Sequence, residues 1–112
     1  MPKYIVLYTA PVSAEAQMQS NDPAMAAEVM KAWTDWAAKA GDSMVDLGLP
    51  LGDGRKITSS GATAANTEVS GYSILQAKSA DAAVKLLESH PHLQMPGAAV
   101  EVYETIELPA GM

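Results

Sequence analysis

Two histidines, His90 and His92, stand on either side of Pro91 in the stretch "HPHL" and are suited to acid or base chemistry. An imidazole titrates near neutral pH, so it can move a proton on a small substrate without a cofactor. A histidine in the last turn of a helix can also simply cap the helix end. The His-x-His spacing can hold Zn²⁺ or Cu²⁺, but Pro91 and the lack of a nearby third ligand disfavour that geometry, so we predict no metal.

Asp46 is the carboxylate that would orient such an imidazole. It lies near the end of the first predicted helix, where its charge meets the negative end of the helix dipole. A histidine would compensate that charge, and so would solvent or the backbone N–H groups of the glycine-rich turn 48–54. Both interpretations stay open, and the first predicts a catalytic set of His92, His90 and Asp46, with the imidazole as proton shuttle.

Four aromatic residues form a second candidate set. Trp33 and Trp36 recur at helical spacing among Met and Ala residues, which is typical of a helix face that fills a core. Their indole N–H groups, with the hydroxyls of Tyr8 and Tyr72 on strands, would also suit a cleft for a small organic ligand. We therefore predict a set of ligand-binding residues, Trp33, Trp36, Tyr72 and Tyr8. The alternative is that these side chains only fill the core.

The elements that must position these side chains follow from hydrophobic periodicity. Strands are predicted at 3–9, 55–60, 71–78 and 98–108, and helices from 22 to 47 and from 79 to just before 91. The first helix is either continuous or broken and recapped at Gly41-Asp42. Asp22 before Pro23 is typical of an N-cap and first helical position, and Ser79 is a second N-cap. The order β-α-β-β-α-β predicts an α+β, ferredoxin-like fold, with a four-stranded antiparallel sheet and both helices on one face.

Composition limits the classes of function. The 112 residues fit one domain, and although 48% are apolar, no apolar run approaches the length of a membrane span. A net charge of −6 with seven Lys and Arg residues argues against nucleic acid or an anionic membrane as partner. Without cysteine the chain has no disulfide or thiol chemistry, and "MPKYIVLYTA" lacks the features of a secretory signal, so we expect a cytoplasmic protein without a cofactor.

The first strand, "KYIVLYT", is apolar on both of its faces. In a sheet with helices on one side, the second face would be exposed as an apolar patch, which soluble monomers rarely tolerate. We therefore expect a homodimer that pairs sheet against sheet. The pattern leaves open whether Tyr4, Val6 and Tyr8 or Ile5 and Leu7 face the partner.

Three stretches resemble the YCII-related, DGPF-type family of small dimeric α+β barrel proteins. They are "MKAWTDWAAKAGDSMVDLGLPLG" (30–52), "VSGYSILQAKSADAAVKLL" (69–87) and "HPHLQMPGAAVEVYE" (90–104). The resemblance implies a single YCII-related domain over 1–112, a ferredoxin-like subunit, a face-to-face dimer and clefts between sheet and helices. For activity it implies only a His–Asp pair. The Asp-Gly-Pro-Phe motif itself is absent, and "NTEVSGYS" precedes the third predicted strand instead.

Two hypotheses about function follow from these residues. The first is a cofactor-free enzyme that acts on a small organic molecule through the histidines and Asp46, inside aromatic walls that exclude water. The second is a non-catalytic, dimeric ligand-binding or regulatory module that uses the same cleft. The fold favours neither, because ferredoxin-like dimers host many unrelated functions.

Overall fold

The computed structural model describes residues 2–11, 23–65, 68–95 and 97–108, and shows an antiparallel sheet with two helices. The strands are β1 (Lys3–Thr9), β2 (Met44–Asp46), β3 (Arg55–Thr58), β4 (Gly61–Ala64), β5 (Val69–Gln76) and β6 (Ala99–Glu104). The helices are α1 (Pro23–Ala40) and α2 (Ala80–Leu87), and short 3-10 helices cover Gly41–Ser43 and Pro91–Gln94. The predicted N-cap Asp22 lies outside the described residues.

The main sheet has four antiparallel strands in the order β2-β5-β1-β6. Val6 and Tyr8 of β1 pack in one buried cluster with Trp36 of α1 and Leu87 of α2. Tyr4 of the same strand packs with Ala83 of α2 in a second cluster. Both helices therefore cover one face of the sheet, and the predicted α+β class is confirmed, with an architecture compatible with a ferredoxin-like fold.

Strand β1 shows which of its two residue sets faces the helices. Tyr4, Val6 and Tyr8 are buried, whereas Ile5 is 37% exposed and Leu7 is half-buried. On the second face, Ile5 pairs with Ile74 and Tyr103 of the neighbouring strands, and Leu7 pairs with Tyr72. We call these five residues, Ile5, Leu7, Tyr72, Ile74 and Tyr103, the open face.

Helix α1 is shorter than the sequence predicts. It ends at Ala40, and Gly41 follows with φ +56° in the left-handed region that favours glycine. The chain then makes one 3-10 turn and becomes strand β2. The break considered at Gly41-Asp42 is therefore where the helix ends, but the continuation of helix to Leu47 was wrong, because Met44 and Leu47 keep the apolar spacing while the chain there is a strand and a loop.

The second strand of the sheet is β2 rather than the predicted segment 55–60. β2 pairs with β5, and the chain continues beside β5 through an isolated bridge between Pro50 and Gly71. Segment 55–58 forms β3, which pairs with β4 in a separate two-stranded hairpin whose strand residues are all exposed. With polar residues at three of its four positions, "RKIT" has no apolar face that would place it in the main sheet.

The ends of the last elements follow local chemistry. Ser79 is the N-cap of α2, as predicted, and its hydroxyl accepts the Ala82 N–H at 3.1 Å. The last strand ends at Glu104 instead of Leu108, and Ile106 is 85% exposed beyond it.

Within the described ranges, neither α1 nor α2 combines the length and the apolar character that crossing a bilayer would need.

Candidate functional site

Helix α2 ends at Leu87, earlier than the predicted end just before 91, so His90 lies in the turn after it and caps the 3-10 helix Pro91–Gln94. Its Nδ1 atom accepts the backbone N–H of His92 at 3.0 Å. Pro91 has no N–H, so the N–H of His92 is the first donor of this helix that needs an acceptor. The imidazole thus accepts a bond at a helix start, whereas the sequence interpretation had it donating to carbonyls at the end of α2.

Three larger aromatic rings surround the His90 imidazole. Its ring centroid lies 4.8 Å from that of Tyr8, 4.4 Å from that of Trp33 and 4.3 Å from that of Trp36. The side chain is only 2% exposed, and this burial, with a smaller contribution from nearby His92, lowers the pKa of His90 to about 4. His90 is therefore a neutral imidazole at pH 7. We call Tyr8, Trp33, Trp36, His90 and His92 the His90 cluster.

The second nitrogen of His90 is a buried donor that has no acceptor within the described ranges. Because Nδ1 accepts a hydrogen bond, the proton of the neutral ring must be on Nε2. Nε2 is fully buried, and no atom of the described residues is its hydrogen-bond partner. A buried donor without a partner costs about 1–3 kcal/mol, so this N–H needs an explanation.

His92 ties the same segment to the sheet. Its Nε2 atom lies 2.8 Å from the carbonyl oxygen of Thr9, and since a carbonyl only accepts, the imidazole donates this bond. The side chain is 5% exposed, and its ring centroid is 5.4 Å from that of Tyr8. Both histidines are thus held by backbone groups on the helix-covered side of the sheet.

Tyr8 is the strand residue at the centre of this cluster, and its hydroxyl begins a chain of hydrogen bonds. The Ser73 hydroxyl donates its single hydrogen to the carbonyl oxygen of Leu47. Tyr8 must therefore donate to Ser73 Oγ, at 2.7 Å. Burial raises the pKa of Tyr8, which keeps the phenol protonated and able to donate.

Ser73 is a contributor that the sequence interpretation missed. It stands at an inward position of β5 between Gly71 and Leu75 and is fully buried. The available signal was a small hydroxyl residue at a buried position of "GYSILQ", where an apolar residue is usual. Such a residue needs a polar partner, and Tyr8 is two positions from its direct cross-strand neighbour Val6.

The two tryptophans differ in burial. Trp36 is 4% exposed, and its Nε1–H donates to the carbonyl oxygen of Leu86 at 3.2 Å. Trp33 is only half-buried, and its ring meets that of His90 at 87°. Trp33 is the least buried ring of the cluster and forms its outer side.

Tyr72 and Asp46 lie apart from this cluster. Tyr72 is on the open face, so the sheet separates it from Tyr8 and the two tryptophans. Asp46 is an exposed residue of β2 whose carboxylate accepts the Gly48 N–H at 2.8 Å. In the described ranges, no hydrogen bond or ion pair joins Asp46 to a histidine, and no three His, Cys, Asp or Glu side chains gather as a metal set.

No family model matches the chain, and no curated protein matches it. The resemblance to the YCII-related family therefore stays a prediction. The site has to be interpreted from its own geometry.

Proposed function

We propose that the protein is a non-catalytic, dimeric small-molecule-binding module whose ligand binds at the His90 cluster. The observation that carries this proposal is the buried Nε2–H of His90, which has no acceptor among the described residues and lies among aromatic rings. Small-molecule sites combine apolar walls with a few polar groups that fix the orientation of the ligand. A ligand oxygen bound to Nε2–H would satisfy the donor.

The geometry favours binding over proton transfer. A general base works best when its pKa lies near the working pH, and the pKa of His90 is about 4. Its Nδ1 is engaged by the backbone, and the Asp46 carboxylate is engaged by Gly48. The catalytic set of His92, His90 and Asp46 is thus the second candidate, and the titration experiment in the Discussion tests it.

Access to Nε2 requires a side chain to move, and Trp33 is the one that can. The other members of the cluster are at most 5% exposed, whereas Trp33 is half-buried. Rotation of its indole away from His90 would let a ligand of similar size lie against the imidazole.

The test is an NMR screen of small aromatic fragments on the protein with ¹⁵N-labelled histidine. Fragments that bind should shift the His90 Nε2 resonance and change the tryptophan fluorescence. The matched variant is His90→Asn, because an Asn side chain can still accept the His92 N–H but has no Nε2–H. If no fragment shifts the His90 resonance, or if the same fragments bind the variant equally well, the proposed site is wrong.

The proposed dimer would form through the open face. Ile5 at 37% and Tyr103 at 51% exposure, with half-buried Leu7, Tyr72 and Ile74 beside them, form an apolar surface that a second copy would cover. The resemblance to a family of face-to-face dimers supports the same assembly. We expect a dimer in sedimentation equilibrium at micromolar concentration, a monomer for Ile5→Lys, and an unchanged dimer for the control Val84→Lys on α2. A monomeric wild-type protein would contradict this.

A further inference from the structure

We propose that the ligand of the His90 cluster is an uncharged, planar molecule with a carbonyl or similar acceptor oxygen, rather than a carboxylate or a phosphate. This inference rests on the proposed binding site and adds the chemical class of its ligand. Three observations carry it: the hydrogen bonds already made in the cluster, the position of every cation in the chain, and the ring that the ligand would replace.

The hydrogen bonds define which polar group is left for a ligand. The Tyr8 hydroxyl donates to Ser73, the His92 Nε2–H to Thr9, and the Trp36 Nε1–H to Leu86. These three hydrogens are used within the protein. Within the part of the chain that the structure describes, the Nε2–H of His90 is a buried donor that has no acceptor, so the ligand must supply an acceptor atom.

The distribution of charge excludes an anion. All seven Lys and Arg residues of the chain are exposed, so none is buried beside the His90 cluster. An ionised carboxylate or phosphate buried without a cation would lose its hydration and gain one neutral N–H donor in return. The net charge of −6 also repels an approaching anion.

The shape of the ligand follows from the ring it would displace. The Trp33 indole lies against His90 at a centroid distance of 4.4 Å and against Tyr8 at 4.9 Å. A molecule that takes this place has the same two rings as neighbours. A flat aromatic or conjugated ligand retains those contacts, and its oxygen adds the hydrogen bond that the indole does not make.

The experiment compares three probes that share one benzene ring: benzamide, benzoate and toluene. Benzamide and benzoate both have an acceptor oxygen but differ in charge, and toluene has neither oxygen nor charge. Binding is followed at pH 7 by the ¹⁵N shift of His90 Nε2 in the wild-type protein, and by tryptophan fluorescence in both the wild-type protein and His90→Asn. We expect benzamide to shift this resonance saturably and to bind at least about tenfold more tightly than either other probe. His90→Asn should remove the advantage of benzamide over toluene.

The possible failures are distinguishable. If benzoate binds as tightly as benzamide at His90, the site exists but the inference about charge is overturned. If toluene matches benzamide, the hydrogen bond to Nε2–H is overturned. If none of the three probes shifts the His90 resonance, the proposed site itself fails together with this inference. A control variant on the exposed side of α1, Lys31→Gln, should bind all three probes as the wild type does.

Discussion

The Nδ1 atom of His90 accepts the backbone N–H of His92, so the first histidine of "HPHL" fixes the start of the turn that contains the second. The two imidazoles therefore do not share a proton, and each is bound to a backbone group. What distinguishes them is the other nitrogen of His90, which has no acceptor among the described residues.

The lowered pKa of His90 predicts an acid-sensitive fold. The folded pKa of about 4 lies below the unfolded value of 6.5, so between these pH values the unfolded state binds more protons. The contribution of neutral His90 to the free energy of unfolding should be complete above pH 6.5. The free energy of unfolding should then fall by about 3 kcal/mol as the pH drops to 4. Urea denaturation at several pH values measures it.

His90→Asn is the control for this pH dependence. Asn does not titrate and can still cap the turn, so the variant should lose the part of the slope that comes from His90. Equal slopes for the variant and the wild type between pH 6.5 and 4 would contradict the burial of a neutral His90.

The two tryptophans should differ in what they contribute to stability. Trp36→Ala removes a buried ring and its bond to Leu86, and should cost about 3–5 kcal/mol. Trp33→Ala should cost about 1–2 kcal/mol, because that side chain is only partly buried. Chemical denaturation of both variants measures these losses of stability. An equal or larger loss of stability for Trp33→Ala than for Trp36→Ala would show that the Trp33 ring is part of the core.

The hydroxyl chain from Tyr8 to Leu47 makes Ser73 more important than its size suggests. Ser73→Ala leaves both the Tyr8 hydroxyl and the Leu47 carbonyl without a partner, and should cost about 1–3 kcal/mol. Tyr8→Phe keeps the bond from Ser73 to Leu47 and should cost about 0.5–1.5 kcal/mol. A double-mutant cycle measured by denaturation should show coupling, and strictly additive losses would refute the chain.

Asp46 should be independent of the histidines. Its carboxylate accepts the Gly48 N–H, which Asn at this position can also do, so Asp46→Asn should leave both imidazole titrations unchanged in NMR. A shift in either titration curve would restore the acid–imidazole pair and, with it, the enzymatic hypothesis.

Periodicity was informative where the signal lies within the segment itself. The apolar run of β1 and the cap at Ser79 set their elements correctly, because these signals are local. The prediction misplaced the second strand because β2 is only three residues long. The position of β2 depends on how residues 44–50 lie along β5, which is not a local signal. Gly48 shows why: with φ +80°, it approaches the Tyr72 carbonyl so closely that no Cβ fits, and this constraint appears only in three dimensions.

For the candidate site, the sequence supplied the residue types but not their grouping. His90, Trp33, Trp36 and Tyr8 do come together, because the turn after α2 returns the chain to the face that α1 covers. Tyr72 lies across the sheet since alternation along β5 puts it out of phase with Ser73. The protonation state of His90 followed only from its burial.

The β3–β4 hairpin forms a sheet of its own, and all of its strand residues meet solvent. A two-stranded ribbon without a packed face is marginally stable, so it can open while the four-stranded sheet stays folded. Its tip, Ser59-Ser60, is therefore a site where a protease would nick the native protein before it cuts the four-stranded sheet, and where a peptide tag could be inserted with little effect on the core.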